Sequence, residues 1–265
     1  MLRPFLFFLI GLCVTSAAHA GAWLQNAGEG MAVISGTYFT SDSFFDEAGN
    51  SQPQDRFRKH EMQAYGEFGA TKDWTVGANL FFNRVAQSGE RNAGIADSEW
   101  FARRQLYRTD SMVISAQPLI KLPSSYSDNN PPLGGSRSAD GELSVLAGFA
   151  MPVISSRDYL DTRMAYRARS KGLSSQFRGD IALGMYLTPD ILLVPAIRSI
   201  TSIHPDETNA FREDGEQDYD LLKTEIALHY QVSETDWLQL TAFQHSAGAL
   251  VGAGTGLSLG LGRRF

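Results

Sequence analysis

Long stretches of the chain alternate apolar and polar residues one by one, and this constrains the fold more than any other feature. In "YLDTRMAYRAR", Leu160 and Met164 fall on one face, and Arg163 and Arg167 fall on the other. The stretches "QFRGDIALGMYL" and "LLKTEIALHYQV" have the same period of two, which is typical of a strand with one buried face. Strands of globular proteins usually have about 5–6 residues. These are longer and suit a tilted strand that crosses a bilayer, which needs about 9–11 residues.

Short and longer polar links alternate between these stretches. Short turns are expected at 71–73, 108–110, 188–190 and 233–236, a slightly longer link at 154–158, and longer loops at 46–55, 86–97, 123–140, 170–174, 204–217 and 246–252. Tight periplasmic turns, longer external loops and an even number of strands are typical of outer-membrane barrels. We therefore predict an all-β fold, a transmembrane antiparallel up-and-down β-barrel of about twelve strands. The predicted strands are 30–45, 56–69, 74–85, 98–108, 112–122, 142–151, 159–169, 175–187, 191–202, 218–232, 237–245 and 253–265.

Two of the predicted strands contain a proline, Pro118 in the fifth and Pro195 in the ninth. A proline cannot donate a hydrogen bond to the ladder. We expect a bulge or a local irregularity at each position.

The start of the chain has the features of an export signal. A short positive start and an apolar run end on "AHA", the small-x-small pattern that signal peptidase cleaves. We expect cleavage after Ala20, so that residues 1–20 are a signal peptide and residues 21–265 form the barrel in the bacterial outer membrane. A lipoprotein acylated on Cys13 is the alternative, which the bulky Leu12 disfavours.

Composition and spacing exclude several classes of partner. The net charge of −6 argues against nucleic acid. The cysteine at position 13 is the chain's only one, so the mature protein would contain no disulfide. The spacing of histidines and carboxylates matches no metal or phosphate motif, and we expect no cofactor. The expected partners are outer-membrane lipid, lipopolysaccharide and the barrel assembly machinery.

Charged residues at the inward positions of the strands are the candidate lumen lining. They are Lys59, Glu61, Arg103, Asp161, Arg163, Arg167, Arg169, Arg178, Asp180, Lys223, Glu225 and His229. Spaced guanidiniums, as in a ladder of Arg163, Arg167 and Arg178, suit the carboxylate or phosphate groups of an acidic solute or polysaccharide. Alternatively, the inward arginines pair with the inward carboxylates, and the pairs stiffen and fill the lumen.

Four aromatic residues near predicted turns are candidates for the headgroup zone. They are Trp74, Tyr159, Tyr186 and Trp237. Rings that are part apolar and part hydrogen-bonding favour the membrane interface. We expect these four rings to lie there.

The chain ends on "GLSLGLGRRF", which places three leucines on one face and glycines on the other. We expect Leu257, Leu259 and Leu261 to face lipid, and the glycines to leave room in the lumen for bulky arginines. The terminal Phe265 resembles the signal that the barrel assembly machinery reads. Arg263, if it shares the leucine face, would extend into the headgroups.

The start of the mature chain resembles a loose group of proteobacterial outer-membrane barrels. The stretches "GAWLQNAGEG", "FFDEAGN" and "FRKHEMQAYGEFGATKDWTVGAN" carry the resemblance, which covers roughly the first third of the chain. The group includes proteins described as "MetA-pathway of phenol degradation" and small barrels encoded with Xag-type exopolysaccharide genes. Many relatives have a turn like "YGLTDWLTLGA", from which Ala70 and Lys72 depart here. The resemblance implies an exported barrel with a transport role and identifies no solute.

Enzymatic activity is a minor alternative, because some barrels of this size are outer-membrane phospholipases. Nucleophilic catalysis needs a serine, a base and an orienting group that meet in space. His245 stands beside Ser246, but no third member of such a triad is recognisable. We therefore expect no enzyme.

Two functions remain open. The first is a barrel that passively conducts small polar solutes, acidic ones among them. The second is a non-conducting barrel that acts as an accessory in envelope or exopolysaccharide assembly.

Overall fold

The structure, a computed structural model, describes residues 21–123, 138–203 and 218–265. Its strands in those ranges are β1 (Gly30–Phe45), β2 (Ser51–Thr71), β3 (Trp74–Gln87), β4 (Glu90–Arg108), β5 (Met112–Leu122), β6 (Asp140–Ala150), β7 (Tyr159–Arg169), β8 (Gln176–Tyr186), β9 (Ile191–Ser202), β10 (Asp220–Gln231), β11 (Asp236–Ala249), β12 (Val251–Gly252) and β13 (Thr255–Arg264). Within them, no helix has the length and hydropathy that would carry it across a bilayer. The predicted signal peptide and much of two predicted loops, 123–140 and 204–217, lie outside the described residues.

Twelve of these strands form one closed antiparallel barrel. Each long strand pairs with the next along the chain, and β1 closes the sheet by pairing with both β2 and β13. The short β12 adds to this seam by pairing with the end of β1. Closure removes the exposed edge strands that an open sheet would have. The predicted fold class and strand number are confirmed.

Alternation along each strand sorts the side chains between two environments. Outward residues such as Ile34, Met164 and Leu259 are exposed by 60%, 76% and 61%. Inward residues such as Glu67 and Arg167 are buried although they are charged. An outer surface this apolar suits hydrocarbon rather than water.

Several predicted loops are strands in the structure. Strand β4 begins at Glu90, eight residues before its predicted start at 98, and it joins β3 through Ser88 and Gly89. Both turn residues have a positive φ, which suits a tight two-residue hairpin. Residues at the starts of β2 and β4 are exposed on both faces, so the alternation that marks a strand is lost there, as expected where a barrel strand leaves the hydrocarbon.

The two prolines inside strands interrupt one ladder each. The pairing of β4 with β5 skips two positions opposite Pro118, and the pairing of β8 with β9 skips two positions opposite Pro195. On their other sides, both prolines keep their register with β6 and β10. The missing amide donors therefore cause local gaps without ending either strand.

The barrel has two different ends. We call the end with the short links and both termini of the wall, Gly30 and Arg264, the turn end. We call the opposite end, where β1 joins β2 and β3 joins β4, the loop end.

Candidate functional site

The lumen opens at the loop end into a cavity of about 950 Å³, which we call the vestibule. Its lining includes six basic side chains and two acidic ones, namely Lys59, Arg163, Arg169, Arg178, Arg198 and Lys223 with Glu61 and Asp180. Ligand pockets typically have volumes of about 300–1,000 Å³. The vestibule is therefore large enough for a small solute.

Glu142 is the centre of an ion-pair network in the vestibule wall. Its carboxylate lies 2.7 Å from Arg167 Nε, 3.2 Å from Arg163 Nη1 and 4.0 Å from Arg178 Nε. Arg167 also reaches Glu99 on β4, at 2.8 Å. Two of these contacts, Glu142 with Arg178 and Arg167 with Glu99, join strands that are not neighbours in the sheet, so they cross part of the lumen.

The network continues around the wall through two further carboxylates. Asp180 lies 2.7 Å from Arg163 Nε and 3.7 Å from Arg198 Nη1. Glu225 lies 2.6 Å from Arg198 Nη2 and 2.9 Å from Lys223 Nζ. Cations and carboxylates therefore alternate along the wall from β7 to β10.

Separate pairs hold the remaining basic residues of the lining. Lys59 Nζ lies 2.6 Å from Glu61 on the same strand. Arg169 Nη1 lies 3.2 Å from Asp218, which also accepts hydrogen bonds from the backbone and side chain of Ser174.

Most carboxylates of the network are more deeply buried than the cations they bind, and the pair of Arg167 with the more exposed Glu99 is the exception. The Glu142 side chain is 0% exposed and that of Glu225 is 11% exposed. The side chains of Arg198 and Lys223 are 44% and 25% exposed. Because the cations form the inner surface, a solute in the vestibule meets hydrogen-bond donors and a positive potential.

An aromatic patch lies beside these basic residues. The rings of Phe39 and Phe243 are stacked with centroids 6.1 Å apart, and the His245 ring lies 4.7 Å from Phe39. Lys223 Nζ lies 5.1 Å from the Phe243 ring, within the range of a cation–π contact. The vestibule thus offers an apolar surface next to positive charge.

The opposite end of the lumen is crossed by the residues before β1, which we call the N-terminal segment (21–29). At one side, the Ala22 amide donates to Asp161 Oδ1 on β7, at 3.3 Å. At the other side, Gln25 Nε2 donates to Glu67 Oε1 on β2, at 2.5 Å. The segment therefore extends from the β7 wall to the β2 wall inside the turn end.

Hydrogen bonds from three other strands hold this segment in place. Ser115 Oγ on β5 donates to the Ala22 carbonyl at 2.6 Å. Arg103 Nη1 on β4 donates to the Trp23 carbonyl at 3.0 Å. The Gln25 amide donates to a threonine hydroxyl at the start of β3, at 2.9 Å. Backbone groups of Ala22, Trp23 and Gln25 are thus hydrogen-bonded to the barrel wall, as is typical of buried polar groups.

Aromatic rings fill the turn end around the segment. Tyr159, Tyr186 and Trp237 are 7%, 9% and 4% exposed and face inward, and Trp23 meets Tyr159 edge-on at 5.7 Å. Their expected place in the headgroup zone is wrong, because their strand positions point into the lumen. Trp74 is exposed on the outer surface.

Inward glycines make room for these rings. A β-carbon at Gly262 would overlap the ring of Trp237, and one at Gly256 would overlap the ring of Phe243. The expectation that the glycines of β13 make room for arginines is therefore wrong, because aromatic rings of the neighbouring β11 fill that space. On the outer face, Arg263 Nε lies 2.8 Å from Asp236, which neutralises its charge there.

The candidate lumen residues divide between the two ends. Those in the vestibule lining are Lys59, Glu61, Arg163, Arg169, Arg178, Asp180 and Lys223. Arg167 and Glu225 lie behind the lining in the ion-pair network. Arg103, Asp161 and His229 lie at the turn end, where His229 borders a cavity of about 30 Å³. That any of them lines a conducting path stays a prediction.

Sequence reasoning missed three parts of the site. Glu142 and Arg198 lie at the ends of stretches that are apolar on both faces, "LSVLAGFAMPV" and "ILLVPAI", where the inward parity is ambiguous. The N-terminal segment lacks a period of two and precedes the first predicted strand, so the sequence does not predict its path across the lumen. Its apolar "AWL" directly after the predicted cleavage site was the available signal.

The histidines that could serve a hydrolase are scattered. His245 faces the vestibule, with Nδ1 2.7 Å from the Gly252 carbonyl. Ser246 contacts Thr224 Oγ1 at 2.7 Å, and as the next residue of the strand it faces the other side of the wall. His204 lies outside the described residues. In the described ranges, no three or more histidine, cysteine, aspartate or glutamate residues are grouped so that they could hold a metal ion.

Solved structures with the same fold are outer-membrane barrels. An outer membrane channel from Pseudomonas putida F1 matches with a TM-score of 0.77 at 14% identity, covering 94% of this chain and 100% of that one. The NanC porin matches with a TM-score of 0.57 at 10% identity, covering 88% and 98%. The translocator domain of the autotransporter NalP from Neisseria meningitidis matches with 0.51 at 13% identity, covering 91% of both chains.

No protein-family model and no curated protein matches the sequence. The structural likenesses show the outer-membrane barrel fold and leave the narrower resemblance to the phenol-degradation and exopolysaccharide groups as a prediction. Because a channel, a porin and a translocator share this fold, function has to be argued from the lumen.

Proposed function

We propose that this chain is a bacterial outer-membrane channel for small acidic solutes, with the loop end outside the cell and the turn end in the periplasm. The observation that carries the proposal is the vestibule, in which cations cover buried carboxylates. A negatively charged solute gains from this surface, whereas a cation is repelled. Channels and porins among the structures of the same fold support a transport role.

The ion pairs would make solute binding weak and reversible. Each exposed cation already has a carboxylate partner, so a solute carboxylate competes with Glu225 for Arg198 and Lys223 instead of meeting bare charges. Conduction requires binding sites that attract the solute into the channel but hold it weakly enough for the solute to leave. The patch of Phe39 and Phe243 would accept the apolar part of a solute.

Ion selectivity in planar bilayers tests the proposal. Arg198→Glu and Lys223→Glu place negative charge on the vestibule surface, and we expect the reversal potential in a salt gradient to move toward cation selectivity. Arg104→Glu is the matched control, because Arg104 lies on the outer surface against Trp74. An equal shift in the control, or none in the vestibule variants, would count against a selective vestibule.

A non-conducting accessory barrel is the second candidate, and the N-terminal segment is the observation that favours it. A segment that crosses the lumen and is hydrogen-bonded to five strands narrows any path to the periplasm. A variant that lacks residues 21–27 separates the two functions. Conductance steps that grow on deletion support the channel. A tight seal in both proteins would overturn it.

A further inference from the structure

The N-terminal segment begins with a close contact between Gly21 and Asp161. Gly21 is buried, and a β-carbon on it would overlap both carboxylate oxygens of Asp161. Standard backbone dimensions then place the Gly21 nitrogen within about 5 Å of that carboxylate. With this position of the Asp161 side chain, the Gly21 backbone itself meets the carboxylate.

Within the described residues, the charge of Asp161 is compensated by one hydrogen bond and, from beyond ion-pair distance, by the guanidinium of Arg103, which already binds Glu67. Its carboxylate accepts one hydrogen bond, the long one from the Ala22 amide at 3.3 Å. No lysine or arginine side chain within the described ranges lies within 4.0 Å of it, although the lumen holds many such pairs. A carboxylate inside a barrel is costly unless it is paired.

Cleavage after Ala20 would create the missing partner. Hydrolysis of the Ala20–Gly21 peptide bond adds one water, leaving a carboxylate on the released signal peptide and an ammonium group on Gly21. Before cleavage the same nitrogen is a neutral amide. The ammonium group would appear beside the only acidic side chain that the N-terminal segment meets at the β7 wall.

We propose that the α-ammonium group of Gly21 is the counter-ion of Asp161 and pins the N-terminal segment across the lumen. Removal of the signal peptide then does more than release the chain from the inner membrane, since it completes the internal structure of the barrel. The inference is independent of the solute and of conduction. It needs only the predicted cleavage site and the contact of Gly21 with Asp161.

The reactivity of the α-amine tests this pairing directly. The protein is exported with its own signal peptide, its mass is measured to confirm a Gly21 start, and it is treated near pH 7 with a small water-soluble acylating reagent. At that pH the α-amine, with an ordinary pKa of about 7.7–8.0, reacts before lysines, whose ordinary pKa is about 10.4. We expect slow labelling of the wild type and at least several-fold faster labelling of Asp161→Asn.

Two further variants keep the test decisive. Glu29→Gln removes an exposed carboxylate from the same segment and should leave the labelling rate unchanged. One alanine inserted between Ala20 and Gly21 shifts the ammonium group by about 3.5 Å. We expect the α-amine of this variant to be labelled as fast as that of Asp161→Asn. The double variant that carries both changes should be labelled no faster than either single variant. If Asp161→Asn fails to assemble, the labelling rate of the insertion variant still tests whether the ammonium group pairs with Asp161.

Two results would overturn the pairing. One is a mature protein whose first residue is not Gly21. The other is the same labelling rate in the wild type, Asp161→Asn and the insertion variant. Conductance measured on the same proteins is a separate readout. A barrel that never conducts would refute the proposed function, whereas the pairing of Gly21 with Asp161 would still be tested by the labelling rates.

Discussion

At the loop end, the lumen is a cavity of about 950 Å³ with cations on its surface, whereas at the turn end His229 borders a cavity of about 30 Å³. Both ends use inward arginines, carboxylates and aromatic rings. At the loop end the rings of Phe39 and Phe243 border open space. At the turn end Tyr159 packs against Trp23 of the N-terminal segment, and Trp237 packs against the inward Gly262.

The difference shows that the same residue types can border open space or fill it, according to what lies between them. Arg198 presents its guanidinium to an open cavity, so a solute can compete for it. Arg103 is 3% exposed, and its guanidinium donates hydrogen bonds to the Trp23 carbonyl and Gln117 and forms an ion pair with Glu67. A charge in the lumen is therefore not by itself evidence for a solute path.

Glu142→Gln should have the largest effect on stability, because it leaves Arg163, Arg167 and Arg178 without their common partner. Breaking a buried ion pair costs about 3–5 kcal/mol. We expect a loss of this size in the free energy of unfolding, measured by denaturant titration of the barrel refolded in lipid vesicles. Glu61→Gln is the control, because Lys59 and Glu61 are partly exposed and such pairs are worth about 1 kcal/mol or less. Equal losses would mean that the network behind the vestibule is as hydrated as its surface.

Asp158→Asn tests the turn end. The Asp158 carboxylate, in the link between β6 and β7, accepts backbone hydrogen bonds from Val153, Ile154, Ser155 and Tyr186 at 3.1, 2.6, 2.7 and 2.7 Å. Burial opposes its ionisation, but these donors outweigh burial and lower the pKa of Asp158 below its ordinary value. Weakening this cluster should cost about 1–3 kcal/mol at pH 7.

The pH dependence of that loss has a definite sign. A carboxyl group whose pKa is lower in the folded than in the unfolded protein stabilises the fold in its ionised form. Its contribution is fully present above the unfolded pKa of about 3.9 and is lost as the pH falls through the folded pKa. The difference between the wild type and Asp158→Asn in unfolding titrations should therefore be constant from pH 7 to about pH 5 and shrink below about pH 4. A difference that grows on acidification would contradict the ionised carboxylate.

Alanine at two glycines of β13 should show the sharpest contrast between the ends, with the smallest loss at position 256. Gly262→Ala crowds Trp237 in the filled turn end, and overpacking costs about 1–3 kcal/mol. Gly256→Ala crowds Phe243, whose ring borders the vestibule and can move into it, so we expect a smaller loss. Gly36→Ala is the control, because open space surrounds a β-carbon there. Equal losses at positions 256 and 262 in denaturant titrations would show that the vestibule is not free space.

Much of the fold could be predicted because the relevant signal is local. The parity of "YLDTRMAYRAR" places Met164 outward and Arg163 inward whatever lies across the barrel. The strand ends of β2 and β4 could not be predicted in the same way, since outside the bilayer neither face has to be apolar. Nearness to a turn does not place Tyr159 and Trp237 in the headgroup zone, because their strand parity directs both rings into the lumen.

The sequence by itself determined the alternation, and with it the strands, the closed barrel and the division of each strand into a lipid face and a lumen face. The physical reason is that a period of two is a property of neighbouring residues along one strand. Tertiary structure alone decided which inward charges meet. Arg167 of β7 reaches Glu99 of β4, and Asp161 meets Ala22 across 139 positions of sequence. Such contacts depend on register and closure around the whole barrel, and no local pattern encodes them.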